Sequence, residues 1–185
     1  MIDETMLEAE EKMEKAIEVA KEDFATIRTG RANAAMFNKV TVDYYGSQTP
    51  LQQLASFQTP EARTILITPF DKTSIAEIEK TLRDSNLGIN PNNDGTVIRV
   101  NLPQLTEERR KEYIKLAHTK AEDAKVSIRN VRRKAMEELD RLVKDGEIGE
   151  DEGARAEKEL ESFTKKHVEY VDSSLKAKEA ELLDV

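Results

Sequence analysis

The chain has 185 residues, of which 38% are hydrophobic and 36% are charged, and its net charge is −8 at pH 7. This length is enough for one large core or two modest ones. No apolar run approaches the roughly 20 residues that cross a bilayer, and the acidic N-terminal stretch is unlike a secretory signal, so we expect a cytoplasmic protein without a membrane span. The lack of cysteine excludes disulfides and thiolate zinc sites.

The first predicted element is an amphipathic helix that ends near residue 29. Its apolar residues recur at alternating steps of three and four: Met6, Ala9, Met13, Ala16 or Ile17, Ala20, Phe24 and Ile27. Gly30 follows, and the conformational freedom of glycine favours a helix end or a swivel at this point.

The segment from 31 to 105 differs in character, since it holds all five prolines. Residues 40–44 alternate between apolar and polar, and residues 64–68 form a β-branched run, so both predict strands. Thr73 or Ser74 can cap a short helix with apolar positions at Ile75, Ile78 and Leu82.

Asn93-Asp94-Gly95 predicts a tight turn that leads into a further strand at 96–100. Together with the two preceding strands and the short helix, this hairpin predicts a small β/α/β domain that spans 30–105.

Two long helices are predicted after Pro103. The first, capped by Thr106, reaches Asp145-Gly146, about 39 residues or on the order of 58 Å, with this near-heptad stripe: Ile114, Ala117, Ala121, Ala124, Ile128, Val131, Ala135, Leu139 and Leu142. The second starts after a turn containing Gly146, Gly149 and Gly153, with this stripe: Leu160, Phe163, His167, Val171, Leu175 and Leu182.

The predicted fold class is α+β, in which a long three-helix bundle carries the small β/α/β domain as an insert. The bundle takes residues 1–29 and 106–185, so its first helix precedes the insert and the other two follow it. Two connections, near 29–31 and 102–106, therefore join the domains, and paired linkers of this kind suggest a hinge.

The sequence offers little for catalysis. No cysteine is present to pair with His118 or His167, and neither a GxSxG nucleophile motif nor a glycine-rich phosphate loop occurs. Each histidine is more simply interpreted as a packing or surface residue. We predict that the chain is not an enzyme and uses no cofactor or metal.

One basic segment interrupts the acidic chain, because residues 125–134 hold five cations and no acid. At 100° per residue, four of these cations fall within a roughly 100° arc of the helix: Lys125, Arg129, Arg132 and Arg133. Arginine can grip phosphate with two hydrogen bonds, so this face suits docking on RNA. The alternative is a solvated face that pairs with neighbouring acids such as Glu137 and Glu138.

Six segments, in order along the chain, resemble the ribosome recycling factor family: RTGRA at 28–32, YG at 45–46, TPL at 49–51, LGINP at 87–91, LTEERR at 105–110 and IRNVRR at 128–133. The resemblance covers essentially the whole chain, and the last two segments are its most specific parts. Residues 1–25 and 150–185 match the family only in general residue type and carry no specific motif.

The resemblance implies an L-shaped, tRNA-like monomer that binds the large ribosomal subunit after termination. It would act with elongation factor G, whose GTP hydrolysis supplies the energy, to split the subunits. It also implies contacts to ribosomal RNA from Arg129, Arg132 and Arg133, with Lys125 on the same face and these supporting residues: Arg28, Arg31 and Arg110. The hinge would comprise Thr29, Gly30, Leu102, Pro103 and Gln104.

Two other functions remain open from the residues. A helical adaptor or chaperone would need only the heptads, and its apolar binding would depend little on salt. A metal-free hydrolase that uses the insert would need a nucleophile and base, which the sequence does not supply.

Overall fold

A computed structural model describes residues 1–184 of the chain. Contacts divide it into a helical unit, Met1–Phe24 with Lys115–Glu179, and a mixed unit, Ala25–Ile114 with the chain from Ala180 onward. The domain boundaries drawn from the sequence, 1–29 with 106–185 and 30–105, stay predictions. None of the helices within 1–184 combines the length and apolarity that crossing a bilayer requires.

Eleven helices and strands, together with two short 3₁₀ turns, make up the described chain. In chain order the helices and strands are α1 (Ile2–Thr26), β1 (Thr41–Tyr44), β2 (Ser47–Pro50), α2 (Leu51–Leu54), β3 (Ala55–Glu61), β4 (Thr64–Pro69), α3 (Ile75–Asp84), β5 (Asn90–Asn93), β6 (Ile98–Asn101), α4 (Glu107–Lys144) and α5 (Glu150–Leu183).

The helical unit is built from the apolar stripes of α1, α4 and α5, which confirms the three predicted long helices. The stripes bury their residues because each helix is apolar along only one side. Fully or almost fully buried side chains include Met13, Ala117, Ala121, Ile128, Leu139, Leu142, Leu160 and Val171. The α1 stripe follows the predicted positions, although the helix ends at Thr26 rather than near residue 29.

The start of α4 carries the predicted Thr106 cap, and both ends carry charges that suit a helix. The side-chain oxygen of Thr106 accepts a hydrogen bond from the backbone N–H of Arg109 at 3.1 Å, as a helix cap does. Acidic residues occupy the first turn and basic residues the last, which matches the helix dipole at both ends. These features fix the start of a 38-residue helix.

Gly153 corrects the predicted turn before the third helix. It lies inside α5, which begins at Glu150. A β-carbon at this position would lie 2.7 Å from Cγ2 of Val143, closer than two carbons can approach. Gly153 therefore serves close packing of α5 against α4 and is not a turn residue.

The mixed unit has a four-stranded antiparallel sheet in the order β3-β4-β6-β5, and β1 and β2 form a separate hairpin. The predicted strands at 40–44 and 64–68 and the predicted hairpin are confirmed. One side of the sheet is buried, since Ile65 pairs with Val100 and Ile67 with Ile98, and all four are inaccessible. They share a core with α3.

The start of α3 is organised differently from the prediction. Ser74 precedes the helix but makes no side-chain capping bond. Asp71 instead accepts a hydrogen bond from the backbone N–H of Thr73 at 3.0 Å, and so caps the short 3₁₀ turn Lys72–Ser74 that leads into the helix. The helix itself buries Ile78 and Leu82 as predicted.

Candidate nucleic-acid interface

The predicted basic face of α4 contains two arginines that are free of acidic partners. Arg129 and Arg133 lie one helical turn apart and are exposed to solvent. Neither forms an ion pair with any residue in the described part of the chain. Both guanidinium groups are therefore available to an external anion.

Lys125 has a different environment, because only 14% of its side chain is exposed. Its ammonium contacts Asp172 of α5 and lies 3.4 Å from Glu122 on its own helix. The hydrogen bond to Asp172 favours the charged form and raises the pKa of Lys125. This lysine is held at the seam between α4 and α5.

Arg132 is intermediate between the exposed Arg129 and Arg133 and the mostly buried Lys125. Its Nε donates a hydrogen bond to Oε1 of Glu161 at 2.7 Å, and its Nη2 also contacts that oxygen. Its side chain is nevertheless 37% exposed, so part of the guanidinium faces solvent. Arg132 can therefore keep its partner on α5 and still meet an anion.

These pairs belong to a ladder along the seam of α4 and α5. His118, Lys125 and Arg132 follow one another at seven-residue steps, so they lie on one side of α4. Their partners on α5 are Glu179, Asp172 and Glu161. The solvated-face alternative predicted acids from α4 itself, such as Glu137 and Glu138, whereas these acids come from α5, a distant segment of the chain. Only part of the basic face is neutralised by them.

Arg28 is buried, with 7% of its surface exposed. Its Nη2 donates to the backbone carbonyl of Pro103 and so ties the two predicted linkers together within the mixed unit. Burial lowers the pKa of Arg28, and its Nε is buried without a hydrogen-bond partner among residues 1–184. A direct contact of Arg28 with RNA stays a prediction and would require this side chain to leave its present position.

The remaining predicted residues near the linkers surround a cavity of about 580 Å³ in the mixed unit. Its lining includes Thr29, Gly30, Arg31, Gln104 and Arg110. Arg63 also lines it, although the sequence analysis did not single it out because it lies in the insert, far along the chain from the other arginines. Three arginines therefore contribute to the lining of this cavity.

The backbone at the predicted hinge is partly fixed within the mixed unit. Leu102 is buried, and its N–H donates to the carbonyl of Arg63 at 2.7 Å. Thr29 bonds through its hydroxyl to the backbone of Arg31. Gly30 does not use the left-handed conformation that glycine permits, so its role as a swivel stays a prediction.

Both histidines have polar partners within the helical unit. The Nε2 of His118 pairs with Glu179, and the Nδ1 of His167 lies 2.6 Å from the carbonyl oxygen of Phe163. Within residues 1–184, no group of three or more His, Asp or Glu side chains is arranged to hold a metal ion.

Comparison with known proteins identifies a family. A profile described as ribosome recycling factor matches residues 20–183. The chain is 75% identical to the ribosome-recycling factor of Kineococcus radiotolerans and 71% identical to that of Pseudarthrobacter chlorophenolicus, over the full length of each.

Solved structures agree in fold. One is a solution structure of a ribosome recycling factor, with a TM-score of 0.80 and 41% identity, over 100% of this chain and 98% of the other. Another is the Thermus thermophilus factor, in models with Escherichia coli elongation factor G bound to the post-termination complex, with a TM-score of 0.71 and 39% identity over 99% of each chain. The chain belongs to the ribosome recycling factor family.

Proposed function

We propose that this chain binds the ribosome left on a message after termination and, with elongation factor G, splits it into subunits. The single observation that carries the proposal is full-length identity of up to 75% with ribosome-recycling factors. A relative at 39% identity is described with elongation factor G on a post-termination complex. That partner hydrolyses GTP, so it supplies the energy and the message becomes free for another round.

The basic face of α4 is the proposed contact with ribosomal RNA of the large subunit. Arg129 and Arg133 are exposed and have no acidic partner among residues 1–184, and Arg132 is partly exposed. Three guanidinium groups within two helical turns can each replace condensed counterions on neighbouring phosphates. Docking through this face is compatible with a net charge of −8, because the acids on α5 lie beside the face and not on it.

We further propose that the chain catalyses no reaction itself, uses no cofactor, and acts as a cytoplasmic monomer. His118 pairs with Glu179, His167 bonds to the carbonyl of Phe163, and the chain has no cysteine nucleophile. The work of separating the subunits therefore falls to the partner, and this chain acts by binding.

Cosedimentation with ribosomes tests the RNA contact, with Arg129→Ala and Arg132→Ala compared with the intact chain. Each variant should weaken binding by about tenfold, because a charge-assisted hydrogen bond contributes about 1.5 kcal/mol. The logarithm of affinity should fall with the logarithm of salt concentration, and each variant should reduce this slope by about 1.

Arg155→Ala is the matched control, because Arg155 is exposed on α5 and its polar partner among residues 1–184 is a backbone carbonyl, that of Asp151. It removes the same charge away from the basic face, so binding should stay unchanged. Failure of the intact chain to bind ribosomes at low salt would overturn the proposal and favour a helical adaptor.

A further inference from the structure

Glu161 holds one edge of the Arg132 guanidinium and leaves the other edge open. The bonds from Nε and Nη2 both reach Oε1 of Glu161, and these two nitrogens form the side edge of the planar group. Nη1 has no hydrogen bond to a residue in the described range. The end edge, formed by Nη1 and Nη2, is therefore free to make two parallel bonds to a phosphate.

We propose that Glu161 is a positioning residue for RNA binding, which orders Arg132 before the ribosome is encountered. This inference rests on the proposed function, because it requires Arg132 to contact ribosomal RNA. Since Glu161 occupies only the side edge, the phosphate need not displace it. Glu161 is thus a support for Arg132 and not a competitor of the RNA.

Two opposing effects decide whether Glu161 strengthens or weakens RNA binding. Ordering a long side chain on binding weakens affinity by about fivefold, and Glu161 removes this cost for Arg132 in advance. The carboxylate also repels the phosphate, which lies roughly 7 Å away across the guanidinium, and in screened solvent this costs about twofold. Positioning is the larger effect, so Glu161 should strengthen binding overall.

Arg129 and Arg133 provide an internal contrast, because neither has an acidic partner in residues 1–184. They must be ordered when RNA binds, whereas Arg132 is already placed. The three arginines thus divide into one fixed group and two adaptable groups on the same face.

Ribosome cosedimentation of full-length variants tests the proposal. Glu161→Ala should weaken binding by about twofold to threefold, since the fivefold loss of positioning is partly offset by the twofold relief of repulsion. Glu161→Gln keeps an acceptor oxygen for Nε without the charge, so it should bind within about twofold of the intact chain. This recovery by the isosteric variant would not occur if Glu161 acted only through its charge.

Glu159→Ala is the control for charge, because Glu159 is exposed on another side of α5 and pairs with no described residue. It should leave binding unchanged or slightly tighter. In an Arg132→Ala background, Glu161→Ala should weaken binding no further, because there is no guanidinium left to position, and relief of the repulsion should tighten binding by up to about twofold.

Binding by Glu161→Ala that equals or exceeds that of Glu159→Ala would overturn the positioning role. If Arg132→Ala nevertheless binds ribosomes more weakly than the intact chain, the proposed RNA contact stands and only the role of Glu161 is wrong. If Arg132→Ala binds as tightly as the intact chain, the RNA contact itself is wrong and the role of Glu161 falls with it.

Discussion

Gly153→Ala should destabilise the helical unit, although alanine is the better helix former. The substitution favours the helix by about 1 kcal/mol. Against this, the new β-carbon would lie 2.7 Å from Cγ2 of Val143. Valine is stiff about its first side-chain torsion, so the methyl group cannot swing away, and overpacking of this kind costs roughly 1–3 kcal/mol. The net expectation is a loss of about 1 kcal/mol.

Urea denaturation followed by far-UV circular dichroism measures this change. The decisive comparison is the same substitution in a Val143→Ala background, where the clashing methyl group is absent. There Gly153→Ala should stabilise the protein by about 1 kcal/mol, so the sign of its effect reverses.

Gly149→Ala serves as the control, since the nearest atom to its β-carbon would be Oε1 of Glu152 at 4.0 Å. It should be neutral or stabilising by up to about 1 kcal/mol. Stabilisation by Gly153→Ala with Val143 present would refute the packing argument.

Three further predictions concern other parts of the fold. Thr106→Ala should lower stability by about 1 kcal/mol in urea denaturation, because the backbone N–H of Arg109 loses its cap. Phe37→Ala should cost about 3–5 kcal/mol by the same assay, since Phe37 is fully buried in the mixed core. Burial and a hydrogen bond to Asp140 raise the pKa of Glu157 above its ordinary 4.5. The protonated Glu157 carboxyl therefore contributes stability that is fully present below pH 4.5 and is lost as the pH rises through the raised pKa. Glu157→Gln should therefore raise Tm at pH 7 and leave it unchanged near pH 3, and equal shifts at both would contradict the titration.

Periodicity was sufficient for the long helices. The stripe of α4 predicted a helix that runs from Thr106 to Asp145-Gly146, and the helix spans Glu107–Lys144. The ends and the buried side of α4 could be predicted because the helix is long. An apolar pattern that repeats over about ten turns fits a helix much better than any other structure, and it marks one side of that helix as buried.

Short elements gave weaker signals. The strand β2 is only four residues long, and β3 contains Pro60 among mostly exposed residues, so neither shows alternation or a β-branched run. Both strands depend on pairing partners for their formation. Their existence follows from tertiary contacts, which local sequence does not encode.

Helical geometry predicted that four cations lie within one arc of the α4 surface: Lys125, Arg129, Arg132 and Arg133. This prediction needs only the rotation of 100° per residue in an α-helix. It did not predict which members are free, because that depends on the positions of Asp172 and Glu161 on another helix. The role of each cation in binding RNA stays a prediction.

The ladder between α4 and α5 explains why so acidic a chain can present a cationic face. The Lys125 side of its pair with Asp172 is mostly buried, but the Arg132–Glu161 pair is exposed on both sides, and exposed ion pairs contribute only about 0–1 kcal/mol. Bundle stability therefore does not explain both of these α5 acids. Their pairing with Lys125 and Arg132 has a clearer consequence for geometry. It holds these two cations along the side of the basic face next to α5, which is the inner border of the face. Arg129 and Arg133 then form its outer border, where no described acid competes for them. Removing an outer arginine should therefore change the salt dependence of RNA binding, whereas removing an inner acid should change how well the remaining cations are placed.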